Sequence, residues 1–249
     1  MPHSNLEAEA RLARYDAIGR WLRENAIRTL FVAHTRDDQA ETLLLRLARG
    51  SGVDGLSAML PVASFPLAEF RTINLVRPLL GFFRSELQEY LRALGQEWFE
   101  DPMNHDPRFG RIRIRQNWDT LESLGLTRDR LANAAAHFAR AREALDLATV
   151  AILARACRVE DGRALADREA LVHAPSELGL RALATLLMAI SRQGYRPRFE
   201  RLERLYGLLT NGELGAGTTL HGCRVRPAPK ALSLFGPGTI LIEPERARS

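Results

Sequence analysis

The fold of this chain is constrained above all by residues 29–52, TLFVAHTRDDQAETLLLRLARGSG, where a short apolar run gives way to a capped helix. Residues 30–33 are continuously apolar rather than alternating, which predicts a buried strand of a parallel sheet. The run stops at His34, and Thr35 opens a helix. Thr35 and Asp38 have N-cap and N3 spacing, so the pair can satisfy two orphan N–H groups of the first turn. Asp37, Asp38 and Glu41 set carboxylates near the positive end of the helix dipole. Acids in a first turn are routine, and capping alone would account for them. Capping does not require His34, Asp38 and Glu41 at one strand-to-helix corner, which is where open α/β sheets hold their ligands. Asp38 and Glu41, three positions apart, share a face of that helix.

The 249 residues, 46% hydrophobic and 26% charged, suit one large or two modest globular domains. No uncharged apolar run approaches the roughly 18 residues that a membrane span needs. The N-terminus is acidic and helical rather than basic and then apolar, unlike a secretory signal. Cys157 and Cys223 stand far apart with no ligand spacing beside either, which argues against a zinc site or a disulfide scaffold. Packed thiols in a reducing cytoplasm are the expectation. The net charge is +5, and Lys230 is the single lysine among 35 basic residues. Arginine offers a planar donor fork suited to phosphate and to base stacking, so nucleic acid is compatible with this surface.

Along the chain, residues 5–25 read as a helix with Leu6, Ala10, Ala13, Ala17, Trp21 and Leu22 near one face. The helix after the corner ends at Gly50. The run RGSGVDG at 49–55 follows a helix instead of a strand, so its glycines suit a C-cap and tight turn rather than a phosphate loop. Residues 73–76 are a second strand, Ser85 and Gln88 open a helix ending at Gly95, residues 97–100 read as a strand and 101–104 as a turn. In FGRIRIR at 109–115, Arg111, Arg113 and Arg115 alternate with isoleucines. At strand period the arginines would line one face, at helical period Arg111 and Arg115 would pair, and a merely solvated face would look the same. Helices are expected at 127–156, 176–191 and 199–209, then a hairpin of 220–226 with 231–235 and a third strand at 240–242. These place a domain boundary between 1–117 and 118–249. His137, His173 and His221 are isolated and read as structural.

Taken together, AHTRDDQAET at 33–42 with LRLARGSGVDGL at 45–56 resembles the tRNA(Ile)-lysidine synthases. Three further segments agree in the family's order: NLEA through Arg14 and Tyr15, RPLL at 77–80, and WFEDPMN at 98–104 with FGRIRIR. The resemblance covers residues 5–115 and is specific because the segments recur in order. It implies an α/β fold, a partial parallel-sheet (Rossmann-like) domain of the N-type ATP pyrophosphatases at 1–117. A mainly helical domain with a short C-terminal β-hairpin follows at 118–249. The implied activity is a cytoplasmic ligase acting on the wobble cytidine of a tRNA(Ile) with a CAU anticodon. ATP, with Mg2+, adenylates the C2 oxygen of the base, and the amine of L-lysine then displaces AMP.

By motif position the resemblance puts His34 and Asp38 at the reacting centre, with Asp38 orienting the activated base and Glu41 supporting it. Arg14 matches an arginine that meets phosphate or nucleotide; Arg111 and Arg113 match arginines that touch adenylate or tRNA, and Arg115 extends the row. Where the family has His-His this chain has His34-Thr35, and its Arg-Asn-Arg is Arg111-Ile112-Arg113. The family's Ser-Gly-Gly-x-Asp-Ser loop is absent from the 249 residues. The expectation is therefore a chain without the family's first strands, unable by itself to bind ATP productively and with an exposed sheet edge that favours a homodimer. The alternatives are a thiolating ATP pyrophosphatase, which needs a dithiol that Cys157 and Cys223 do not make, a non-catalytic RNA-binding remnant, and a metal-dependent hydrolase on His34, Asp37 and Asp38.

Overall fold

In the computed structural model, which describes residues 4–99 and 110–245, helix α1 (Ser4–Glu24) buries Tyr15 and Leu22, with Ile18 beside them. These meet Phe65, Phe70, Ile73 and Leu75 in an apolar cluster. Tyr15 stands edge-on to Phe65 at 5.4 Å, and Phe65 to Phe70 at 5.7 Å, the arrangement favoured by ring quadrupoles. A Cβ on Gly19 would run into the Phe70 ring, so the close approach of helix to ring requires glycine there. Trp21, expected on the apolar face, is 55% exposed instead.

Beneath this cluster lies a three-stranded sheet of β1 (Thr29–Phe31), β2 (Val62–Ser64) and β3 (Asn74–Val76), in the order β1-β3-β2. β1 runs parallel to β3 and β2 antiparallel to it. The parallel pairing agrees with the sequence, but the burial does not: Phe31 is 66% exposed. Among the described residues β1 is an edge strand with a neighbour on one side only, so continuous apolarity did not guarantee burial on both faces. β2, three residues between Pro61 and Pro66, carried too little pattern to be foreseen.

Helix α2 (Arg36–Leu47) and the short α3 (Val53–Leu56) join β1 to β2, with Gly50 at φ +70° closing α2 as its position suggested. After β3 comes α4 (Arg84–Ala93), whose cap is Phe83 with Glu86 rather than Ser85 with Gln88. The Glu86 carboxylate accepts the Phe83 N–H at 2.6 Å; that half of a capping box depends on the acid, not on the N-cap side chain. Residues 97–99 form no strand, and the expected turn at 101–104 lies outside the described residues. Helix α5 (Gly110–Gln116) settles the Arg-Ile alternation as helical, and α6 (Trp118–Ser123) follows. The long helix α7 (Arg128–Ala156) matches its expected span closely. Ala40 and Leu43 of α2 share a core with Trp118 and with Leu131 and Ala135 of α7.

The chain divides into the units Met1–Arg142 and Glu143–Ser249, so the division falls within α7 and not near residue 117. The first half of α7 gives its apolar side to the core around α2, which composition alone did not reveal.

The second unit contains more sheet than the hairpin expected. Its five antiparallel strands are β4 (Cys157–Glu160), β5 (Arg163–Asp167), β6 (Thr218–Leu220), β7 (Cys223–Pro227) and β8 (Thr239–Pro244), ordered β4-β5-β8-β7-β6. Helices α8 (Arg168–Val172), α9 (Ser176–Ser191) and α10 (Phe199–Thr210) cover it. Leu183, Leu187, Leu205, Leu209, Val225 and Ile242 form the heart of that core. Residues 231–235 contain a 3-10 turn and no strand; β7 pairs with β8 instead, and β6 turns into β7 at His221-Gly222. Burial pushes the Cys157 thiol up to about 12 and the Cys223 thiol to about 11, so both free cysteines are unreactive packed groups near neutrality. Among the described residues no helix is long and apolar enough to cross a membrane.

Candidate active site

The corner forms because β1 ends and α2 begins within four residues, with Thr35 as an extended N-cap at φ −107°. Asp38 Oδ2 accepts the Thr35 backbone N–H at 2.8 Å and the Thr35 hydroxyl at 2.9 Å. Its other oxygen, Oδ1, accepts from Arg111 Nη1 at 2.9 Å. One turn further, Glu41 takes Arg115 in a fork: Nε to Oε1 at 2.5 Å and Nη2 to Oε2 at 3.2 Å. Arg111 Nη1 lies 3.6 Å from Glu41 and Arg115 Nη2 lies 3.8 Å from Asp38, so two acids and two arginines make a crossed square. The Glu41 side chain is 3% exposed and that of Asp38 11%, which makes this an interior network rather than a surface pair. The fourfold spacing of Arg111 and Arg115 on α5 matches the near-fourfold spacing of the acids on α2.

Charge at the corner follows from these contacts. Burial pushes the Asp38 carboxyl up, but the two Thr35 hydrogen bonds and the charges of Arg111 and Arg84 outweigh it and hold the group below the usual range. Burial drives the His34 imidazole down; Asp38 opposes that, while Arg77 and Arg111 add to it. At neutral pH the corner therefore holds a carboxylate and a neutral imidazole. His34 Nδ1 is buried and makes no hydrogen bond among the described residues.

Of the residues singled out from sequence, Asp38, Glu41, Arg111 and Arg115 are joined directly, and His34 stands within the field of Asp38 and Arg111. Arg113 is exposed and lies about 200° round the α5 axis from Arg111, on another side of the helix. Arg14 is exposed on α1, and no described hydrogen bond or ion pair ties it to the corner; Arg11, one turn earlier, is the α1 arginine whose charge reaches His34.

Several contacts escaped the sequence reading. Thr42 accepts Arg111 Nη2 at 3.2 Å, a role signalled by its place four residues after Asp38. Asp37 accepts the Arg84 N–H at 2.8 Å and so ties the helix to the start of α4. Arg46 donates to the carbonyls of Gly55 and Ala58, and Gln39 closes two 2.8 Å hydrogen bonds on the backbone of Met59. These brace the loop after α2, and only long-range geometry reveals them. Among the described residues no three His, Cys, Asp or Glu side chains stand together as a metal-holding group.

The PP-loop domain family matches residues 2–119. The chain is similar to the tRNA(Ile)-lysidine synthase of Ruegeria pomeroyi, 39% identical over 92% of this chain and 56% of the relative. It is also similar to that of Wolbachia pipientis, 36% identical over 89% of this chain and 51% of the relative. With the tRNA(Ile)-lysidine synthase of a Methylobacterium species it is 36% identical over 99% of this chain and 70% of the relative. The chain thus spans about half the length of the first two relatives and more of the third. This likeness, together with the ordered motifs and the corner they build, shows that the chain belongs to the tRNA(Ile)-lysidine synthase family.

Proposed function

We propose that the protein takes part in the ATP-dependent joining of L-lysine to C2 of the wobble cytidine in the CAU anticodon of tRNA(Ile). In this reading the first unit, residues 1–142, carries the reaction and the second, residues 143–249, supports the tRNA. The observation that carries it is the square of Asp38, Glu41, Arg111 and Arg115 beside a neutral His34.

When the C2 oxygen of cytosine attacks the α-phosphorus of ATP, pyrophosphate leaves and positive charge develops on the ring. A fixed buried carboxylate opposes that charge, and Asp38 is held ionised for it. Carboxylates at this corner also suit the exocyclic amine of cytosine, which uracil lacks. In the second half-reaction the lysine nitrogen forms a bond to C2 as the C2–O bond breaks and AMP leaves. The lysine ammonium must shed a proton to attack, and neutral His34, with a free buried nitrogen, is the acceptor. Arg111 and Arg115 hold the acids in register, while Arg113 and Arg14, both exposed, are the arginines that meet phosphate in this reading. The described residues do not form a set that would hold Mg2+ on their own.

The test is a titration of anticodon arms. The arm with CAU should bind more tightly than the same arm with uridine at the wobble position, and Asp38→Asn should erase that preference. Equal affinity of the parent chain for both arms would refute the reading. In a chain supplied with a pyrophosphate loop, attachment of labelled lysine that survives Asp38→Asn would refute the role of Asp38.

A further inference from the structure

Outside the corner, the densest unclaimed chemistry lies in residues 192–204 of the second unit. Arg192, Arg198, Arg201 and Arg204 are all exposed, and none makes an ion pair among the described residues; Glu200 and Glu203 are the run's two acids. Two large rings interrupt the charge: Tyr195 is 66% and Phe199 57% exposed. Burying rings is favourable, so two left in solvent beside unpaired guanidinium groups form a patch that needs explaining.

The geometry around Tyr195 gives the patch a purpose. Its ring meets His221 at 5.0 Å and 87°, edge against face. His221 sits at φ +57° in the tight turn from β6 to β7, followed by Gly222 at φ +71°. That turn abuts residue 193, since a Cβ on Gly222 would stand 3.1 Å from Gln193 Nε2. Tyr195 is therefore propped upright by a rigid turn, with ring surface still open to solvent. A ring already fixed loses little freedom when a flat partner stacks on it.

We propose that Tyr195, propped by His221 and flanked by Arg192 and Arg198, is a platform for an unpaired RNA nucleotide, the base on the ring and the neighbouring phosphates on the arginines. It rests on the reading of the chain as tRNA-modifying, and it is separate from the cytidine corner. Stacking needs a base free of its own helix, so the platform favours single strand over duplex, and the sequence of the strand matters little.

The experiment titrates the 249-residue chain with a labelled single-stranded oligouridylate, a duplex of equal length and a tRNA. Tyr195→Ala should weaken single-strand binding about tenfold, and Tyr195→Phe should retain it. Arg192→Ala with Arg198→Ala should lower the slope of log affinity against log salt by about 1.4, as loss of two single-strand phosphate contacts requires. Tyr195→Ala binding like the parent, equal affinity for duplex, or polyglutamate competing as well as the oligonucleotide would each overturn the platform. The cytosine-over-uracil ratio on anticodon arms separates this from the catalytic reading: Tyr195→Ala should leave the ratio intact. A parent chain lacking that ratio but retaining the Tyr195 dependence refutes the lysidine assignment and supports the platform.

Discussion

Removing Arg115 tests the physics of the corner most directly. In Arg115→Ala, Glu41 stays 3% exposed by its side chain but loses the 2.5 and 3.2 Å bonds, keeping only Arg111 at 3.6 Å. Stranding a buried charge costs about 3–5 kcal/mol. Arg111 retains part of the attraction and Arg115 is itself 26% exposed, so the expected loss is about 2–3 kcal/mol. All three tryptophans, Trp21, Trp98 and Trp118, fall in the first unit, so their fluorescence during urea unfolding reports that unit alone. At about 2 kcal/mol per M, the midpoint should drop by about 1–1.5 M. Replacing both partners separates electrostatics from lost packing: Glu41→Gln with Arg115→Met should recover most of the loss. A double variant as unstable as Arg115→Ala alone would refute the reasoning.

Other perturbations follow from the same contacts. Because Asp38 is held below its ordinary value of 3.8, the native state binds fewer protons than the unfolded chain; that stability is present above 3.8 and lost as pH falls through the native value, so Asp38→Asn should flatten the acid limb of an unfolding-versus-pH curve. His34 is depressed from 6.5, so stability should also decline as pH falls below 6.5, and His34→Gln should remove that slope in the same assay. Gly19→Val would drive a branched side chain into Phe70 and cost about 1–3 kcal/mol or more, read as a lower fluorescence midpoint. With Phe31 two-thirds exposed on edge strand β1, light scattering should show concentration-dependent dimerisation that Phe31→Ser weakens; a monodisperse monomer at all concentrations would count against it.

Local rules read the helices well because helices are local. The spans of α1, α7, α9 and α10, the Thr35–Asp38 cap and the Gly50 stop all follow from spacing within a turn or two. Strands fared worse where the pairing was distant or the composition misleading. The sequence reading assigns no element to residues 157–167, which became β4 and β5, yet Asp161-Gly162 between them, at φ +48° and +71°, is a strong hairpin turn. His221-Gly222 does the same between β6 and β7, and it split what had looked like one strand.

The amino-acid order by itself determined the family and the carboxylate corner, since both rest on residues within one strand-to-helix turn and on motifs in a fixed succession. It left the arginines of residues 111–115 suspended between ladder, pair and solvated face. Only the tertiary structure decided that question. Folding α5 against α2 aligns a four-residue spacing with a three-residue one about seventy positions away in the chain, placing Arg111 and Arg115 on Asp38 and Glu41 and turning Arg113 away. Spacing within a helix fixes which side chains share a face, but which face meets which is settled by the apolar sides of both helices seeking a common core.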